Sequence, residues 1–200
     1  MIAIEDQPRA DALQAVRALR DQGLAVGVLS GDREGSVRHL ATLLGLQDSD
    51  AAWSLRPEQK VAALSRWRDR GPVAMVGDGI NDAPALAAAD LGIAVGTGTQ
   101  IAQDSAAVVV MGDRLMDVVH ALHLARQTMA KVRQNLLWAF GYNLIVLPIA
   151  AGALLPSVGW RLTPSLAALL MALSSITVVV NALLLQRSQA SFSPPASHGH

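Results

Sequence analysis

Formal charge is confined to one end of this chain, and that confinement limits what it can fold into. All sixteen acidic residues lie at or before Asp117, and beyond residue 134 the only formal charges are Arg161 and Arg187. The front reads as a domain that can face water, and the rear as one with almost nothing charged to show it. With 52% hydrophobic residues and a mean hydropathy of +0.34, the chain is too apolar for an ordinary soluble domain. Net charge is zero, so no basic excess proposes nucleic acid as a partner. Cysteine is absent, which removes disulfides and thiolate metal ligands. Met1 to Asp6 lack a basic stretch ahead of an apolar core and do not read as a signal peptide.

The front, residues 1–113, alternates helix and strand signals. Pro8 to Gly23 reads as a helix with Gly as its stop, and Leu24 to Ser30 as a short strand. A helix over Glu34–Leu44 ends at Gly45, Ala51–Leu55 is a weaker strand, and Pro57 opens a helix running to about Arg70. Val73–Val76 is an apolar run without alternation, as expected of a parallel strand covered on both faces. A helix over Asn81–Ala89, a strand at Leu91–Val95 and an apolar run at Ala106–Met111 complete the series. Such alternation with short connections predicts an α/β fold with a parallel sheet.

Three loops carry chemistry on the ligand edge of that sheet. Ser30-Gly31-Asp32 offers a hydroxyl and backbone N–H groups to a phosphoryl oxygen. Lys60 offers a positive charge against a phosphoryl group and a carboxylate. Asp78 and Asp82, within Gly77-Asp78-Gly79-Ile80-Asn81-Asp82, offer hard oxygen donors of the kind that hold Mg²⁺ together with substrate phosphate. Phosphoryl transfer needs mainly positioning and charge neutralisation, which this set supplies. Singly, each residue is as well explained by a helix start or a surface turn.

Ser30-Gly31-Asp32, Pro57-Glu58-Gln59-Lys60, the run Gly77 to Leu86, and Gly92-Ile93-Ala94-Val95-Gly96 together resemble the phosphorylation domain of P-type cation ATPases, within the haloacid-dehalogenase superfamily. The resemblance implies an incomplete haloacid-dehalogenase-like domain in which Asp78 and Asp82 serve Mg²⁺ and Lys60 contacts the phosphoryl group. Ser30, Gly31, Asp32 and Asn81 would then line the phosphate pocket, and ATP would be the phosphoryl donor of the full-length enzyme. The family's phosphorylated Asp-Lys-Thr-Gly-Thr motif does not occur in these residues, and Asp6 lacks its context. The expectation is therefore a fragment that is inactive alone, partnered by a missing amino-terminal part of the pump.

Residues 114–135 read as an amphipathic linking helix capped by Asp113, with Leu115, Val118, Val119 and Leu122 on its apolar stripe. Residues 136–155 and 165–185 are uncharged runs long enough to span a bilayer. Lys131, Arg133 and Arg187 flank them on one side against Arg161 in the loop, which predicts a multi-pass membrane protein with its front and tail in the cytoplasm. Residues 188–200 read as a disordered tail. Within the spans stand Tyr142, Asn143, Met171, Ser174 and Ser175, with Asn181 seven residues beyond Ser174. Such residues often serve only as helix-packing glue. Tyr142-Asn143 and Met171-Ala172-Leu173-Ser174-Ser175 nevertheless resemble the last two membrane helices of the copper-transporting branch, which implies a Cu⁺ transport site; a thioether is a soft ligand suited to Cu(I). Two other readings remain open at this level: a membrane-anchored phosphatase of the same superfamily, or a non-catalytic metal-binding membrane protein.

Overall fold

The computed structural model describes residues 9–78, 80–96, 100–151, 163, 165–166, 168–173, 175–176 and 179–181. It divides into two compact units, residues 1–123 and 124–200.

In the first unit, α1 (Ala12–Asp21) leads to β1 (Val28–Leu29), α2 (Glu34–Leu43) and β2 (Ala51–Ala52). Then come α3 (Pro57–Arg68), β3 (Ala74–Gly77), α4 (Ala83–Ala88), β4 (Leu91–Val95), α5 (Gln100–Ser105) and β5 (Val108–Val110). Helices α1 and α2 both stop at the expected glycines, Gly23 and Gly45, whose φ values of 78° and 67° suit a residue without Cβ. At the start of α3, Pro57 stands where a missing N–H costs nothing, and Gln59 Oε1 accepts the Arg56 N–H at 2.8 Å.

Every strand pairing among the described residues is parallel. Val28 stands opposite Ala51 and Leu29 opposite Ala52. Ala74 to Gly77 run beside Leu91 to Ala94, and Ile93 to Val95 beside Val108 to Val110. Among the described residues these make two sheets, β1-β2 and β3-β4-β5, rather than one. The strand predicted over Leu24–Ser30 is only two residues long, because only Val28 and Leu29 find a ladder.

Packing joins what hydrogen bonding leaves apart. Leu29 of β1 packs against the cluster of Leu64, Met75, Ala85 and Leu86, which belongs to α3, β3 and α4. On the other face, Ile93 and Val95 pack with Val118 and with Val76 and Leu122. Val118 and Leu122 lie on α6 (Leu115–Ala150). Covered from both sides, β3 and β4 need no polar face, which explains their unbroken apolar runs. The first turn of α6 is capped from afar: Met116 N–H donates to Asp11 Oδ2 at 2.8 Å, a cap supplied by the α1 end rather than by Asp113.

Helix α6, 36 residues long in all, runs on into the second unit. The described residues from 165 to 181 are helical as well. Among the described residues no helix is long and apolar enough to cross a membrane. The expected spans 136–155 and 165–185 extend beyond those residues, and the tail 188–200 lies outside them.

Candidate functional site

The carboxyl end of β3 gathers the charged residues. Asp78 directly follows the strand, and the 3₁₀ turn Ile80–Asp82 leads into α4. Gly77 is required for close approach: a Cβ there would lie 2.8 Å from Asp82 Cβ and 2.9 Å from its Oδ2. The Asp82 carboxylate is thus folded back over the strand end.

Lys60 projects from the first turn of α3, the helix expected to open at Pro57. It is the one charged side chain among the buried residues described. Its Nζ donates to Asp82 Oδ1 at 2.6 Å, the two side chains being 11% and 17% exposed. A lysine this enclosed needs a charged partner to offset its desolvation, and Asp82 supplies it. Removing either partner alone would strand the other.

Asp78 is paired differently. Arg9 Nη2 donates to Asp78 Oδ2 at 2.8 Å, while Arg9 Nη1 donates to the Asp113 carbonyl. This pair is open to water, at 35% and 59% exposure. Nothing in the local pattern around Arg9 announces a partner 69 residues away, so the sequence reading passed over it.

Ser30 and Asp32 form a small closed turn. The Ser30 hydroxyl donates to Asp32 Oδ2 at 2.9 Å and accepts the Asp32 N–H at 3.1 Å. Gly31 lies between them, and Ser54 N–H donates to the Asp32 carbonyl at 2.8 Å, tying the turn to the segment entering α3. Asn81 is exposed beside Asp82, and Gly79 lies outside the described residues. Among the described residues no three His, Cys, Asp or Glu side chains converge. Two carboxylates on a glycine-bounded strand end still fit a Mg²⁺ ion, which commonly takes only one or two and completes its shell with phosphate and water.

The residues of the second candidate site are divided. Tyr142 Oη is buried without a hydrogen-bond partner among the described residues. Asn143 is exposed, its Nδ2 donating to the Ala139 carbonyl at 2.9 Å. Met171 is 63% exposed, and the exposed Ser175 donates its hydroxyl to the Met171 carbonyl at 3.3 Å. Ser174 lies outside the described residues. Asn181, seven residues beyond Ser174, bonds to Lys131, Gln134 and Asn135 of α6.

Residues 1–90 match the haloacid dehalogenase-like hydrolase family. The probable copper-transporting ATPase SynA of Synechococcus is 48% identical over 184 residues, covering 92% of this chain and 23% of the relative. The chloroplastic copper-transporting ATPase PAA2 of Arabidopsis thaliana is 50% identical over 188 residues, covering 92% and 21%. The chain is homologous to copper-transporting P-type ATPases. That homology runs through both units, while the chain spans only about a quarter of the length of those relatives. A solved zinc-transporting PIB-type ATPase in its E2·Pi state superposes with a TM-score of 0.79 at 37% identity, covering 90% of this chain and 28% of that one. The chain is thus similar to transporters of both copper and zinc, so the ion has to be argued from side chains.

Proposed function

We propose that this chain is part of a copper-translocating P-type ATPase, in which an aspartyl-phosphate cycle drives Cu⁺ out of the cytoplasm. It supplies the lysine and metal side of the phosphoryl site and two membrane helices of the ion path. The phosphorylated aspartate and the nucleotide-binding portion come from outside these 200 residues, and the chain alone does not turn over ATP. The observation that carries this reading is the enclosed Lys60 ammonium held on Asp82 at the end of β3, in a chain 48% identical to a copper pump relative.

In this reading Asp78 and Asp82 hold Mg²⁺, which when bound supplies charge neutralisation at the phosphoryl oxygens. Lys60 places its positive charge at the same oxygens, and the Asp82 contact keeps that ammonium aimed at the strand end. The Ser30 hydroxyl and the Gly31 and Asp32 backbone offer donors to a phosphoryl oxygen, and Asn81 borders the pocket.

The membrane assignment is supported by the surface of α6. Leu137, Phe140 and Leu144 are 74%, 72% and 76% exposed, a display suited to lipid or neighbouring helices and costly in water. Lys131, Arg133 and Arg187 on one side put the first unit and the tail in the cytoplasm. Copper is favoured over zinc because residues 136–155 and 165–185 contain no Asp, Glu, Lys or His, whereas Met171 offers a soft thioether. Tyr142, Asn143, Ser174 and Ser175 complete the proposed ligand neighbourhood.

The test is a chimera in which this chain replaces the homologous stretch of the Synechococcus relative. Cu⁺-dependent phosphoenzyme should form from ATP, and Asp78→Ala should reduce it by about a hundredfold or more. A folded chimera without phosphoenzyme would refute the reading. One phosphorylated in response to Zn²⁺ but not Cu⁺ would refute the choice of ion.

A further inference from the structure

Asn181 spends its whole side chain on α6. Its Nδ2 donates to Asn135 Oδ1 at 2.6 Å and to Gln134 Oε1 at 3.3 Å. Its Oδ1 accepts from Lys131 Nζ at 3.1 Å, and the same ammonium donates to Gln134 Oε1 at 3.3 Å. Four polar side chains thus close one network between two otherwise apolar segments.

The network lies on a seam. Along α6 the half-buried positions include Lys131, Asn135, Ala139, Tyr142, Val146 and Ile149. Their steps of four, four, three, four and three are the spacing of helices packed side by side. On the other helix Leu166, Leu170 and Asn181 are the half-buried described positions, and they follow the same period. Fifteen residues separate Asn135 from Ala150 at the end of α6, and sixteen separate Asn181 from Ser165. The two arms, from the network to Ala150 and from the network to Ser165, are equal within a residue, as an antiparallel pair requires.

Apolar seams tolerate slippage, because a helix moved by one turn buries nearly the same side chains. A polar group on the seam does not, since only one level pairs its donors and acceptors. We propose that Asn181, with Lys131, Gln134 and Asn135, is a register lock that sets the level of the second helix against α6. It is a positioning residue rather than an ion ligand. Counting equal numbers of residues along both helices from the Asn135–Asn181 bond brings Val146 level with Leu170 and Asn143 with Leu173. A slip of one turn would carry Tyr142 and Asn143 about 5.4 Å past Met171 and Ser175. That consequence rests on reading those four as ion ligands; the lock itself does not.

The chain contains no cysteine, so an introduced pair reports cleanly. In the 200-residue chain in lipid nanodiscs, Val146→Cys with Leu170→Cys marks the locked register, and Val146→Cys with Leu166→Cys marks a slip of one turn. With a copper-free oxidant the first pair should cross-link faster. Asn181→Leu, which suits a bilayer and conserves bulk, should reduce that preference by about threefold to thirtyfold. Asn181→Asp keeps the acceptor for Lys131 and, with the Asn135 and Gln134 amides turned to donate, should restore it. An unchanged preference in Asn181→Leu, or no recovery in Asn181→Asp, would overturn the lock. A Cu⁺ titration of the uncross-linked variants separates the two readings: lost preference with unchanged copper binding upholds the lock and refutes the ligand assignment.

Discussion

At the scale of single residues, the two carboxylates of the proposed phosphoryl site are neutralised by different means. Asp82 is held by an enclosed lysine and Asp78 by a water-exposed arginine. An exposed ion pair is worth at most about 1 kcal/mol, so Arg9 is a counterion that a divalent cation can displace from Asp78. Arg9→Gln should therefore tighten Mg²⁺ binding to the chain, by no more than about fivefold. Titration of the Asp78 and Asn81 amide resonances with Mg²⁺ would show it. Unchanged or weakened binding would mean that Arg9 orients Asp78 for the metal instead of competing with it. The carboxylates and Lys60 were legible in the sequence because short glycine- and proline-marked segments carry them. Arg9 was not, because its role depends on a contact 69 residues away.

At the scale of elements, legibility followed length and coverage. The strand at Leu91–Val95 and the helix opening at Pro57 stand where the sequence put them, since an apolar run and an N-terminal proline act locally. β1 shrank to two residues because a strand ends where its partner ends, and α5, six residues long, has too few turns to show a period. A different kind of tie secures the start of β3. Asp90 accepts the Val73 N–H at 2.9 Å and both arms of the Arg68 guanidinium, at 3.2 and 3.0 Å, joining α3 to the entries of β3 and β4. The Val73 N–H first, and the Arg68 guanidinium after it, hold the Asp90 carboxyl below the ordinary carboxylate range. A carboxyl depressed by folding contributes stability that is present above its unfolded pKa, about 3.9. That stability disappears as pH falls through the lower folded value. Asp90→Asn keeps an acceptor for Val73 but removes the charge. Its urea midpoint should fall less steeply than the parent's as pH is lowered from about 5 towards 2. Parallel slopes would show that other carboxylates set the acid sensitivity.

At the scale of the whole chain, hydrogen bonding is unevenly distributed while apolar packing is shared. β4 is paired on both sides, and Ile93, Ala94 and Val95 are 1%, 0% and 2% exposed. β1 and β2 share a ladder of two residues, all four half-buried. What binds this weak ladder to the strong sheet is Leu29 against Leu64, Met75 and Leu86. Local opening follows such differences, ranging from almost free exchange to the global unfolding cost. The amides of Ile93 to Val95 should therefore exchange slowest in the first unit, and those of Val28 and Leu29 at least about a hundredfold faster. In the described residues β1 and β3 each have a ladder on one side only, leaving backbone groups able to pair with chain from elsewhere. If the proposed pump supplies that chain, Val28 and Leu29 should become slow in the chimera while Ile93 to Val95 change little. Equal protection of both sets in the isolated 200 residues would mean that the sheets already open together, with the Leu29 packing sufficient to couple them.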